Sequence, residues 1–415
     1  MGPQTTCASP PATETTLSWL AMAMTPGMGP RRIQRVARVL GEAAELFRLP
    51  LTALEALQIP VVSARFIAEG KARKAAEEEW QKTIEAGCSV MTLADDDYPE
   101  RLREIFDPPP VLWVRGDRGL LSQPAIAVVG TRAPSAYGSG MAEMLSRDLA
   151  ARRMVILSGM ARGIDTAAHK GALSSGGRTV AVWGTGMDVV YPKENKRLAE
   201  EIILAGGTIV SEQPMGTFPA PQNFPLRNRI ISGMSVGVLV VEAGEQSGTR
   251  VTARCALEQN REVYAVPGNV TSRNAWGPNT LIKQGARLTA TWEDIWEDLP
   301  SQIRLELEGR LESAQDGDRI GGQEDLFAAS SESGVGVTAS LLRQGHLAVP
   351  PGPPLSPAEA AVYGLLRMDE ALHLEELLEQ LEGQVTSAEV FTALFELELN
   401  NHIRQLPGKN YVRRM

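Results

Sequence analysis

The sequence predicts an α/β fold: a parallel sheet covered by helices, preceded by a helical domain and followed by a small winged helix. Three observations carry this prediction. Short β-branched runs alternate with helical segments between residues 124 and 290. Those runs are continuously apolar, the pattern of strands buried on both faces. Each run also ends in small, polar or charged residues, where an open parallel sheet carries its ligands.

The chain has 415 residues, 43% of them hydrophobic and 22% charged. At roughly 150 residues per domain this suggests about three domains. Composition excludes full disorder, a collagen-like chain and a disulfide scaffold. No apolar run reaches the ~18 residues of a membrane span. Leu17 to Met24 is short and closes at Thr25-Pro26-Gly27, so no signal peptide is read and the cytoplasm is expected. Cys7, Cys88 and Cys255 lie too far apart for a disulfide framework or a zinc site. Net charge is -9, but residues 124–290 carry +6 and residues 291–334 carry -9. One acidic stretch equals the whole excess, and the cationic middle suits a phosphate-binding face.

Met1 to Thr15 is Pro/Thr-rich and expected to be mobile. Residues 16–90 read as a helical domain. Ile33, Val36, Ala37 and Leu40 form one helical stripe and Leu51, Leu54 and Leu57 another, with a third helix at Ala72 to Ala86. Pro26-Gly27-Met28-Gly29-Pro30 precedes Arg31, Arg32, Arg35 and Arg38. It reads equally as a phosphate-binding helix-hairpin-helix turn or as a plain turn with solvated arginines. Residues 88–123 are broken by Tyr98-Pro99 and Asp107-Pro108-Pro109-Pro110 and read as a connection with a strand at Val111–Val114.

The sheet domain spans residues 91–292. Its strands are expected at Ala125–Gly130, Met154–Ser158, Thr179–Trp183, Thr208–Ser211, Val236–Val241 and Glu262–Val266. Residues 293–354, acidic and then Gly/Ser/Pro-rich, read as a disordered linker. In residues 355–415, Ser356-Pro357-Ala358-Glu359 and Thr386 with Glu389 are capping boxes. Helices are expected near 357–367, 373–382 and 387–400, and a hairpin from His402 to Arg414 about Pro407-Gly408. The third helix would normally enter a DNA groove. It holds Glu389, Glu396 and Glu398 and no Lys or Arg, which argues for a protein-contact or regulatory role.

Four stretches at the strand ends could carry chemistry. Gly130-Thr131-Arg132 offers backbone access, a hydroxyl and a two-pronged cation for an anion. A turn with an exposed arginine fits equally. Ser158-Gly159-Met160-Ala161-Arg162-Gly163-Ile164-Asp165 again joins strand to helix. Here Asp165 reads best as a helix N-cap and His169 as a packed core histidine. Asn223-Phe224-Pro225-Leu226-Arg227-Asn228-Arg229 mixes cations with an aromatic, as single-stranded nucleic acid requires. A helix start with a core Phe and solvated arginines is the plainer alternative. Glu242 followed by Ser247-Gly248-Thr249-Arg250 can hold a further phosphate or be an ordinary cap. No Walker motif occurs, Val189 replaces the third glycine of a dinucleotide fingerprint, and no metal-ligand spacing is present. No cofactor is implied.

These stretches, in this order, resemble the DNA processing protein A family (DprA, also called Smf). The resemblance is carried by Val129-Gly130-Thr131-Arg132, the 158–165 turn, Ala168-His169, Tyr191-Pro192 with Asn195, Phe224 to Ile231, Val241-Glu242-Ala243, Ser247-Gly248-Thr249 and Ala265-Val266-Pro267-Gly268. It is dense over residues 95–290 and looser outside them. It implies an extended Rossmann-like domain that binds single-stranded DNA, dimerises, protects strands in natural transformation and helps load RecA recombinase. It implies no enzymatic activity. By motif, Arg132 would grip a phosphate with the backbone of Gly130, Thr131, Ser158 and Gly159. Phe224 would lie near a base and Arg227 and Arg229 near the strand, with Arg162, Asn223, Asn228, Lys193, Asn195, Ser247, Gly248 and Thr249 as further contacts. Dimer or recombinase contacts would fall around Cys255–Gln259 and Leu281–Gln284. Met160 stands where Leu is usual.

Two other readings compete. Glu242 with Ser247-Gly248-Thr249 is somewhat similar to the nucleoside-monophosphate phosphoribohydrolases, although the double glycine of their turn is absent. A scaffold that binds a small nucleotide is the other.

Overall fold

The structure, a computed structural model, describes residues 12–245, 247–311, 356–366, 372–381, 385–399, 402–406 and 410–413. Most of the expected mobile N-terminus, residues 312–354 of the expected linker and the Pro407-Gly408 turn lie outside the described residues. Residues 293–311, expected as disordered linker, are instead folded, with a helix at Glu293–Trp296. Ile295, Leu299 and Leu307 are buried in the core there, because their apolar side chains pack on the sheet domain. Two compact units divide at residue 330.

The first unit begins with helices α1 (Glu14–Met24), α2 (Pro30–Leu40), α3 (Leu51–Ala56), α4 (Val61–Ala68) and α5 (Lys71–Glu85). The Thr13 hydroxyl caps α1 by accepting the Thr16 N–H at 3.1 Å. Pro30 opens α2, where a missing N–H costs nothing. Between them the hairpin is pinned by Ser63, whose hydroxyl donates to the Pro26 carbonyl at 2.6 Å. Trp19, Leu20, Met22, Ile33, Leu46 and Leu54 bury the apolar faces.

A nine-stranded sheet follows. Its strands are β1 (Ser89–Thr92), β2 (Val111–Gly116), β3 (Ala125–Val129), β4 (Val155–Ser158), β5 (Thr179–Trp183), β6 (Thr208–Ser211), β7 (Gly237–Val240), β8 (Glu262–Ala265) and β9 (Arg287–Leu288). Their order is β1-β2-β6-β5-β4-β3-β7-β8-β9. β3 to β9 run parallel, while β1 and β2 are antiparallel at one edge. The helices between strands are α6 (Glu100–Arg103), α7 (Ala136–Ala151), α8 (Ile164–Ser174), α9 (Lys196–Leu204), α10 (Asn223–Met234), α11 (Thr249–Glu258) and α12 (Trp276–Lys283).

Side chains alternate across the pleat. Ile126 and Val128 of β3 enter one core with Leu145, Leu149 and Ala168 of α7 and α8. Ala127 and Val129 enter the other with Ile230 and Ile231 of α10. Both faces are therefore covered, which explains the continuous apolar runs. Each fully buried Ile or Leu contributes roughly 1.5–3 kcal/mol.

The 88–123 segment differs from expectation. It supplies two strands, β1 at the sheet edge and β2 between β1 and β6, not one strand in a connection. The Trp113 indole N–H donates to the Thr83 hydroxyl at 3.1 Å, tying β2 to α5. The helical front and one sheet face share a single apolar core.

The second unit is built from helices Pro357–Leu365, Leu374–Gln380 and Ser387–Leu399 and strands Leu372–His373, Ile403–Leu406 and Asn410–Arg413. The strands are antiparallel, with the last in the middle. Both capping boxes form: Ser356 with Glu359, and Thr386, whose N–H donates to Glu389 Oε2 at 2.9 Å. Val362, Leu377, Val390, Leu397 and Ile403 form the core of this winged helix.

Candidate nucleic-acid interface

The chain leaves β3 toward β4 on one side and later returns to pair β7 on the other. The turns after β3 and β7 therefore diverge, and such a switch point opens a crevice at the carboxyl ends of the strands. Here the crevice is a cleft of about 1090 Å3. One wall carries Gly130, Thr131, Arg132, Tyr191, Phe224, Arg227 and Asn228; the other carries Ser247, Gly248, Thr249, Arg273, Asn274 and Trp276. A side pocket adds Gly159 and Arg162.

Backbone contacts fix the floor. The Thr131 N–H donates to the Glu242 carbonyl at 2.7 Å, joining the turns after β3 and β7. Ile164 N–H donates to the Thr131 carbonyl at 3.2 Å, pressing the turn after β4 against them. Gly163 sits at φ 77°, and a Cβ there would lie 2.4 Å from the Thr131 carbonyl oxygen. Only glycine fits this approach.

Asp165 is not the N-cap expected of it. Gly163 holds that position, and the buried Asp165 carboxylate reaches back to accept the Gly159 and Ala161 N–H groups at 3.1 and 3.2 Å. Burial pushes its carboxyl above the usual range, opposed by the nearby Arg227. Arg227 is itself buried and donates to the Gly159 carbonyl at 2.7 Å and to the Val182 carbonyl. Burial, aided by Arg132 and opposed by Asp165, lowers it to about 10. His169 is a packed core histidine, as expected. Its Nδ1 lies 2.7 Å from the Thr179 hydroxyl, which spends its own hydrogen on the Ile156 carbonyl. Nδ1 is therefore the donor. Burial, then the Arg227 charge, lowers its pKa to about 3.

Arg132 stands at the mouth. Its side chain is exposed and has no ion pair among the described residues. Its guanidinium carbon lies 5.6 Å from the Phe224 ring centroid, and Phe224 lies 5.6 Å from Tyr191, tilted by 38°. An available cation thus borders the Phe224 ring, against which Tyr191 packs. Arg162 is exposed and pairs with Glu194 at 2.6 Å, a surface bridge of little net energy that a phosphate can replace.

Five expected contacts do not line the cleft. Arg229 is buried away from it, with Nη2 2.5 Å from Glu212 and Nε 3.2 Å from Asp107. Two residues apart on a helix, Arg227 and Arg229 cannot share a face. Asn195 is buried as a brace, donating to the Met160 carbonyl at 2.8 Å and Thr166 at 2.9 Å. The Ser158 hydroxyl is buried and donates to the Val128 carbonyl at 2.7 Å. Asn223 is buried at the first position of α10, and Lys193 is exposed beyond the rim. Tyr191, Arg273 and Trp276 were not expected as wall residues. Arg273-Asn274-Ala275-Trp276 repeats the Arg, Asn and aromatic mixture of 223–229, and that was the available signal.

Glu242 is buried. It accepts the Ser135 N–H at 2.8 Å, the Ser135 hydroxyl at 2.5 Å and the Asn274 amide at 3.3 Å. Both oxygens hold the wall together, so the hydrolase reading lacks an unengaged carboxylate here. Among the described residues no group of three or more His, Cys, Asp or Glu is placed to hold a metal, and no helix is long and apolar enough to cross a membrane.

Fold and cleft together define a class: a Rossmann-like α/β protein with a cleft at the switch point of its sheet, whose chain continues into a winged helix. More particularly, the chain belongs to the DNA recombination-mediator protein A family, as its ordered motifs implied. That family's sequence model matches residues 89–300, and the DprA winged helix domain matches residues 347–409. The chain is similar to Protein Smf of Synechocystis, 33% identical over 410 residues, 95% of this chain and 98% of that protein. It is 48% identical to Protein Smf of Escherichia coli over 202 residues, 49% of this chain and 54% of that protein, so that match spans only part of the relative. The solved DNA processing protein A of Streptococcus pneumoniae superposes with a TM-score of 0.61 at 34% identity, over 70% of this chain and 99% of the other.

Proposed function

We propose that this chain binds single-stranded DNA in the switch-point cleft, protects it and helps load a RecA-type recombinase on it during transformation and recombination, without catalysing a reaction. One observation carries the reading: exposed Arg132, without an ion pair among the described residues, borders the Phe224 ring, which packs against Tyr191, beside the Gly130-Thr131 turn. Cations track a phosphate backbone while aromatic faces accept any base. The family description and relatives named for DNA processing support it.

The protein acts as a homodimer through the Rossmann-like domain. Leu257 and Leu288, 62% and 52% exposed at its far edge, support an apolar contact there. The winged helix serves protein contact or regulation. The test is anisotropy of a labelled dT oligonucleotide at several salt concentrations, with duplex of equal length as competitor. Tight, salt-dependent binding that duplex does not compete supports the reading. Duplex preference, or tighter binding of mononucleotides than of strands, overturns it.

A further inference from the structure

The cleft has a second aromatic wall. Arg250, in α11, holds its guanidinium carbon 5.4 Å from the Trp276 ring centroid and is anchored by donating to the Glu245 carbonyl at 2.9 Å. Trp276 is 38% exposed, and it lines the same cleft as Phe224. Exposed Arg273, also on that wall, has no side-chain hydrogen bond or ion pair among the described residues. The arrangement repeats the opposite wall, where Arg132 borders Phe224. Tyr191 follows β5 and Phe224 lies in α10, between β6 and β7, whereas Arg250 lies in α11, between β7 and β8, and Trp276 opens α12 after β8. A core tryptophan would be covered, and a solvated arginine would not be tethered over a ring.

We infer that Trp276 is a second base-stacking subsite of the single-strand site, with Arg273 as its phosphate contact, so that one strand crosses the cleft from Phe224 to Trp276. This rests on the reading above and adds a path and a minimum length to it. A stacked base changes affinity roughly tenfold, independent of sequence.

The experiment titrates the full-length chain, Trp276→Ala, Trp276→Phe and Arg132→Ala with labelled dT oligonucleotides of increasing length. Trp276→Ala is expected to weaken long oligonucleotides about tenfold and to leave the dinucleotide unchanged. Trp276→Phe keeps most of the affinity, since a ring face remains. Arg132→Ala weakens every length. If Trp276→Ala binds all lengths like wild type while Arg132→Ala is impaired, the subsite is wrong and the main reading stands. If wild type binds no strand, both fail.

Discussion

The Glu79 carboxylate on α5 accepts the backbone N–H of Met215 at 2.6 Å, a contact between the helical front and the loop that leads to Phe224. The next amide, Gly216, donates to Asp188 at 2.8 Å. Two carboxylates from different parts of the chain thus hold successive amides of one loop. The front helices thereby help set the cleft wall.

Glu79→Gln keeps an acceptor for the Met215 amide, while Glu79→Ala leaves that buried N–H without one. The alanine variant is expected to lose about 1–3 kcal/mol in denaturant unfolding. Burial raises the Glu79 pKa above 4.5. Its share of stability is therefore complete below 4.5 and falls as pH rises through the raised value. The glutamine variant removes that fall, so its gain over wild type should grow from pH 4 toward pH 7.

Arg132→Ala removes an exposed side chain. Thermal unfolding should stay within about 0.5 kcal/mol of wild type. Strand binding should weaken for every base composition, and the salt slope of log K should drop by roughly 0.7. An unchanged slope would remove Arg132 from the phosphate path.

Arg229→Ala should behave oppositely. It leaves Glu212 buried without its cation, a loss of about 3–5 kcal/mol. Chemical denaturation would show the loss, while the folded fraction should bind dT with unchanged affinity.

His169 couples the core to acid. Its folded pKa of about 3 lies below the ordinary 6.5, so the unfolded chain binds the extra proton between those values. Its contribution to stability is present above 6.5 and is lost as pH falls toward 3. His169→Asn preserves a donor near Nδ1 and should flatten that limb in urea midpoints measured across the range.

Gly163→Ala places a methyl group against the Thr131 carbonyl at a positive φ. A loss of more than about 1 kcal/mol is expected, together with weaker strand binding, because the Gly130–Arg132 turn must shift. A variant with wild-type melting and affinity would show that the turn can give.

Strands β3 to β8 were legible within a residue or so, because burial on both faces leaves an unbroken apolar run, whereas the exposed two-residue β9 was not. Strand β1 was not, since four residues between loop signals carry too little period to read. Of the residues singled out in the sequence, Gly130, Thr131, Arg132, Phe224, Arg227 and the Ser247-Gly248-Thr249 turn line the cleft. Arg229 and Asn195 were misjudged because residue type says what a side chain can bind, not which way it points.

By itself the sequence determined the strand and helix order, the glycine turns at the strand ends and the family, all properties of local pattern. Only tertiary structure decided that β7 returns beside β3, and so where the cleft opens. It also decided that Arg132 faces solvent while Arg227 braces two carbonyls and Arg229 neutralises Glu212. Three arginines of identical chemistry differ by burial, and burial is set by packing between segments far apart in the chain.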